Sequence, residues 1–175
     1  MIRIGKVVGI NTDQQAALSS STSSDGDSYF LATLSLACDD AFTKGRQLLS
    51  EISDAYFDSS EGSAKSLTEA AEALKSKLTD IESCSFLLGG FSNKALYLIG
   101  QGEVTAKLQR GNSVYPLDLS SGQLVSGFLQ EGDKVIMATQ SLIDFLGEDF
   151  ASSLELPLSQ WEEEVTEKLK ADNVP

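Results

Sequence analysis

Apolar positions in this 175-residue chain change period several times, and each change marks a predicted element. Residues 2–10, within "MIRIGKVVGI", alternate well enough to predict a short strand. The Ser/Thr/Asp/Gly cluster from Ser19 to Ser28 predicts a turn or loop. Tyr29 to Cys38 is almost wholly apolar, as in a strand buried on both faces. The period then lengthens. Phe42, Leu49, Ile52 and Tyr56 fall on one helical face, with Leu48 beside them and Asp39-Asp40 at the start. A second helix is predicted from Ser66, with Glu69 completing a capping box and Leu67, Ala71, Leu74, Leu78 and Ile81 as its apolar stripe.

Six short β-type runs follow: "SCSFLLGGF", "KALYLIG", "EVTAKLQ", "SVYPL", "QLVSGFL" and "KVIMAT". The turn signals between them are Ser92-Asn93, Gln101-Gly102, Arg110-Gly111-Asn112, Ser120-Ser121-Gly122 and Glu131-Gly132-Asp133. Their close spacing suits antiparallel neighbours. Helical spacing returns at "SLIDFLGEDF". A last helix is predicted near Ser159, with Glu162 as capping partner and Trp161, Val165 and Leu169 as its stripe. Strands, two helices, a run of strands and then helices argue for an α+β fold with helices layered on antiparallel sheet. One domain spanning 1–175 is expected, with 171–175 a polar tail or the start of a linker.

Charge narrows the function classes. With 26 acidic and 13 basic residues the net charge is −13, which argues against nucleic acid and anionic membrane surfaces as partners. No apolar run reaches the roughly 20 residues of a membrane span, and the start lacks a signal peptide's apolar core, so membrane insertion is not expected and the chain is expected in the cytoplasm. There is no histidine, which removes His-based nucleophilic systems and His-ligated zinc. Cys38 and Cys84 are far apart in apolar surroundings and are expected as buried reduced thiols.

Local motifs add little. The glycines of "GGFSNKALYLIGQG" match neither phosphate-loop pattern and read as turns and close strand contacts. Asp25-Gly26-Asp27 lacks the acidic twelfth position of an EF-hand loop. The acidic run 162–164 reads as a solvated first helical turn.

Taken in order, however, several pieces resemble the PPM-type (type 2C, metal-dependent) protein phosphatases. "GFLQEGDKVIMATQSLIDFLG" resembles the family's "pGDxxllaTDGLxdxl", with Gly132-Asp133, Ala138-Thr139, Leu142 and Asp144 in step. The family's metal-ligand aspartate falls on Gln140 and its glycine on Ser141. "KALYLIGQGEVTAKLQRGNSVYPL" resembles the "lyvaxvGDSRxyLxrxGxxxxLt" hairpin, with the aspartate position at Gln101, the serine at Gly102 and the arginine at Glu103. "SCSFLLGGFSN" resembles the preceding strand. "GDSYFLATLSL" stands where the family has "fxvaDGhGG", which puts that aspartate on Thr33. "GINTDQQAAL" is similar to "RxxNEDa" and puts an acid on Asp13.

The resemblance covers roughly residues 7–150. It implies a reduced α-β-β-α sandwich of mainly antiparallel sheets. It also implies that Asp13, Thr33, Gln101 and Gln140 mark vestigial metal positions, with no catalytic residue and no metal. Neutral oxygens cannot balance two close dications. The expected function is therefore a catalytically inactive, pseudophosphatase domain, a regulatory module for a protein partner or a further domain. The alternative is an active Mn²⁺- or Mg²⁺-dependent Ser/Thr phosphatase with an atypical metal site drawn from Asp13, Asp25, Asp27 or Asp144.

Overall fold

The structure, a computed structural model, describes residues 2–24, 28–59, 63–81, 83–147, 150 and 153–172. Its elements run β1 (Gln15–Ser24), β2 (Ser28–Ala37), α1 (Ala41–Asp58), α2 (Ser63–Lys77), β3 (Ser83–Ser92), β4 (Ala95–Gln101), β5 (Val104–Arg110), β6 (Ser113–Leu117), β7 (Val125–Phe128), β8 (Lys134–Thr139), α3 (Gln140–Leu146) and α4 (Leu158–Ala171). Among these, one sheet has five strands in the order β1-β2-β3-β4-β7 and the other three in the order β6-β5-β8. Every ladder is antiparallel.

Three apolar clusters stack these elements into four layers. Phe30, Ala32, Leu34 and Leu36 of β2 and Phe86 and Leu88 of β3 pack under Leu49, Ile52 and Tyr56 of α1 and Leu67, Ala71 and Leu74 of α2. On the opposite face of the large sheet, Leu87, Leu96 and Leu98 meet Ala106, Val135 and Met137 of the small sheet. Beyond the small sheet, Ile136 packs with Leu142, Leu146, Trp161, Val165 and Leu169 of α3 and α4. Alternation along β2, β3 and β8 thus serves two cores at once, since successive strand side chains point to opposite faces. The result is an α-β-β-α sandwich.

All six predicted β runs after residue 82 form strands. Gly102, Gly111, Gly122 and Gly132 take positive φ at their turns, where a Cβ would be strained. Other expectations are corrected. Residues 2–10 make no ladder; they run extended with alternating exposure. Ser19–Ser24 is strand, not loop, because β1 pairs with β2 from Gln15↔Ala37 to Ser24↔Ser28. A hydroxyl bond from Ser53 to Thr22 (3.0 Å) satisfies polar atoms on its helix side. Asp25 and Asp27 lie outside the described residues.

Neither capping box forms. Ser66 is buried inside α2, which already includes Ser63, and the capping position of α4 is Pro157. Phe42 is 37% exposed, and the buried stripe of α1 begins instead with Ala41 and Gly45. The start of α1 also differs, since Asp40 at its cap takes a left-handed conformation and makes no side-chain cap bond. The tail residues 173–175 lie outside the described residues.

One ion pair ties the small sheet to the edge of the large one. Arg110 of β5 grips Asp133 through Nε (2.9 Å) and Nη2 (2.6 Å), and the same Nη2 donates to the Phe128 carbonyl (3.2 Å). Asp133 also accepts from the Gln130 amide (2.8 Å). The Arg110 bonds, aided by that amide, hold the Asp133 carboxyl at about 2. A carboxylate depressed in the fold stabilises it at pH above the ordinary aspartate range and loses that contribution as pH falls. Unfolding midpoints in urea are therefore expected to drop between about pH 4 and pH 2 more steeply for the natural chain than for Asp133→Asn. At pH 7 the substitution is expected to cost about 1 kcal/mol.

Candidate functional site

The strand ends gather at one rim. There β1 begins, β2 ends, β3 begins, β4 ends, β5 begins and β8 ends into α3. Gln101 is the last residue of β4 and pairs with Phe86. Gly102, at φ +80°, makes the turn that follows. A Cβ there would lie 2.5 Å from Ser85 Oγ and 3.0 Å from the Cys84 carbonyl, so only glycine fits. The turn is locked when Ser85 Oγ accepts from the Glu103 amide (2.9 Å). Across the rim, the Gln140 amide donates to the Glu103 carbonyl (3.0 Å), which brings the start of α3 to within two residues of Gln101 along the chain. The Gln140 side chain turns along its own helix and donates to Asp144 (2.8 Å).

Asp13 stands on the β1 side of the same rim. Its carbonyl accepts from the Ala41 amide (2.9 Å), which fastens the start of β1 to the start of α1, while its side chain is exposed. Thr33 is set deeper. It pairs with Ser19 and Leu87 in mid-strand. It lies four residues before Ala37, the rim residue of β2, or about 13 Å inward. Thr33 lines a cavity with Thr139, Ser141 and Leu142. The fold thus brings Gln101 and Gln140 to adjacent turns, keeps Asp13 at the same rim beyond β1, and sets half-buried Thr33 below them.

The donor set at this rim is neutral where the fold turns most tightly. Among the described residues, no three Asp, Glu or Cys side chains come close enough to hold a metal ion. Asp144 is engaged by Gln140 and Glu103 contributes its backbone. Amide and hydroxyl oxygens can ligate a hard cation, but two neighbouring dications need anionic oxygens to balance their charge. These residues do not fit a binuclear centre. Nor do they supply a covalent nucleophile. Cys38 and Cys84 are free and half-buried, and burial pushes the Cys84 thiol pKa up, away from the thiolate. Sequence reasoning missed the two carboxylates with the best-defined partners, Asp133 on Arg110 and Glu162 on the Lys6 amide. Arg110 and Asp133 sit in turns already recognised, but nothing local signals their pairing.

With this geometry the chain resembles solved phosphatase domains. The PP2C phosphatase domain of SpoIIE from Bacillus subtilis, with a fragment of its regulatory domain, superposes at TM-score 0.65 and 12% identity, over 90% of this chain and 51% of that one. The fold is that of the PP2C phosphatases. The catalytic domain of the serine/threonine phosphatase PstP in complex with two manganese ions matches at TM-score 0.60 and 13% identity, over 89% and 90% of the two chains. RsbX in complex with magnesium matches at 0.61 and 15%, over 96% and 84%. The chain spans about half of the SpoIIE chain and most of the other two. No family model and no curated protein sequence matches it. No helix among the described residues is long and apolar enough to cross a membrane.

Proposed function

We propose that this chain is a PP2C-like domain without phosphatase activity, which acts by binding a protein partner or a further domain. The observation that carries this reading is the neutral rim: Gln101 and Gln140 stand at the joined turns, and among the described residues no acidic triad converges. Asp13, Thr33, Gln101 and Gln140 are read as the vestiges of metal positions. The net charge of −13 favours a protein partner over nucleic acid, and a cytoplasmic setting accords with the free thiols. Hydrolysis of p-nitrophenyl phosphate with Mn²⁺ or Mg²⁺ tests it. The rate is expected to equal that of buffer with metal, and turnover that Gln140→Ala abolishes would overturn the proposal.

A second reading, an active Mn²⁺- or Mg²⁺-dependent Ser/Thr phosphatase with an atypical site, draws on the fold neighbours solved with manganese and magnesium. Asp13 and Asp144 would be its acids at this rim. Calorimetry separates the two: two saturable sites of micromolar affinity favour the enzyme, and absence of binding heat favours the binder.

A further inference from the structure

The free edges of β1 and β8, with α3 and α4, enclose a cavity of about 80 Å³. That is far below the roughly 300 Å³ at which small-molecule pockets begin. Residues 5–9 form its outer wall. Gly5, Val7, Gly9 and Asn11 are half-buried, while Ile4, Lys6, Val8 and Ile10 are exposed. This is the in-and-out period of a strand. Yet among the described residues, 2–11 make no backbone–backbone hydrogen bond. Beside them, β8 pairs with β5 alone, so its outer edge has no ladder partner among the described residues.

Three small devices hold the segment. The Lys6 amide donates to Glu162 Oε1 (2.7 Å), the Asn11 side-chain carbonyl accepts from the Ala17 amide (2.7 Å), and Val7 packs with the α3–α4 cluster. Gly5 fits closely into the seat, since a Cβ there would lie 2.7 Å from Leu158 Cδ1 and 3.1 Å from the Glu162 carboxyl carbon and would push both side chains aside. The segment also differs from the body in charge. Residues 1–12 carry Arg3 and Lys6 and no acid, whereas 13–175 carry 26 acidic and 11 basic residues, a balance of −15.

We propose that the groove along β8, α3 and α4 is a seat for an extended peptide segment, and that residues 2–11 occupy it in cis as a releasable strap. What fills the seat defines what it accepts: an extended backbone with small residues two positions either side of an aliphatic one, as in Gly5-x-Val7-x-Gly9. Basic flanks favour it, because residues 13–175 carry a balance of −15 and Glu162 holds the Lys6 amide. The seated backbone runs extended without joining the β8 ladder, so side-chain contacts and not main-chain bonds hold it. The strap therefore competes with any partner segment of the same pattern, and the proposal is independent of metal binding or turnover.

A fluorescent synthetic peptide of residues 2–11 tests this against the 175-residue chain by anisotropy. Gly5→Val unseats the strap while the peptide keeps its glycine. The variant is expected to bind the peptide at least about tenfold more tightly than the natural chain. A peptide carrying the same Gly5→Val change is expected not to bind. Asn11→Ala, which removes the strap's bond to the Ala17 amide while the peptide keeps its own Asn11, is expected to raise affinity by a smaller factor, and it carries the test alone if Gly5→Val fails to fold by circular dichroism. Hydrogen exchange should quicken at residues 4–9 in the variants and stay unchanged in β3. Equal peptide affinity for the natural chain and the folded variants, or binding to none of them, overturns the proposal.

Discussion

Phe30→Ala is expected to destabilise the chain by about 3–5 kcal/mol, the range for emptying a large aromatic from a packed core. Phe30 is fully buried in mid-β2, and its ring lies 5.0 Å from that of Tyr56 on α1. Its backbone pairs with Thr22 on one side and Gly90 on the other. Glycine at 90 offers no cross-strand side chain on that side, which leaves Tyr56 as the cover over both residues. With helices above and a hydrogen-bonded sheet below, the cavity persists, and its volume adds to the lost transfer energy. For a domain of this size the melting temperature should fall by about 10 °C. Phe42→Ala is the internal control: its side chain is 37% exposed at the start of α1, and the change should stay within about 0.5 kcal/mol. Melting followed by far-ultraviolet circular dichroism compares the two. Equal shifts would mean that α1 does not lie on the large sheet as described.

The helices and the antiparallel strands were legible because long apolar periods leave few choices, whereas the four-layer arrangement came from the resemblance to the PPM phosphatases. Seven-, three- and four-residue steps can bury a stripe only in a helix. The six close β runs can satisfy their backbones only by pairing with one another. Serine-rich β1 was not legible. Its hydroxyls carry no periodic signal, and its place in the sheet comes from the register of β2, whose buried run needs a neighbour on that side. Residues 2–10 show the opposite case, since their alternation records which side chains face the α3–α4 cluster and not a ladder.

The capping boxes failed for a related reason. A Ser-x-x-Glu spacing recurs by chance in a chain rich in both residues, and tertiary contacts decide its use. Ser66 is covered in α2, and Glu162 reaches 156 residues back to the Lys6 amide. At the rim, Gln101 was legible as a turn signal and Gln140 as a strand–helix junction, and it is the resemblance to the PPM phosphatases that marks them as metal positions. The hydrogen bond that joins their turns runs between the β4–β5 turn and the start of α3, and no local pattern encodes it.

Depth makes Thr33 the most informative place to restore a carboxylate. Thr33→Asp is expected to cost about 2–4 kcal/mol at pH 7, because the charge enters a half-buried mid-strand position among Leu142, Ile143 and Met137. Burial raises the carboxyl pKa in the fold, so the folded state holds its proton longer than the unfolded chain does. The penalty is then absent below the ordinary aspartate range and grows as pH rises through it. Melting temperatures near pH 4 and pH 7 should show partial recovery at the lower value. Gln140→Asp, at the rim, should change stability by no more than about 0.5 kcal/mol, through repulsion of Asp144 one turn along α3. Excess Mn²⁺ separates a buried charge from a restored ligand. A metal held at a hundred times its dissociation constant adds about 2.7 kcal/mol to the folded state. If Thr33 faced a metal site, Mn²⁺ would cancel most of the loss. The expected result is no shift with Mn²⁺, since the residues that line the cavity with Thr33 include no acid to share a cation with. A rise of several degrees on adding the metal would show that an acid at 33 recreates a cation site that the natural Thr33 does not form, as the reading of Thr33 as a vestigial metal position requires.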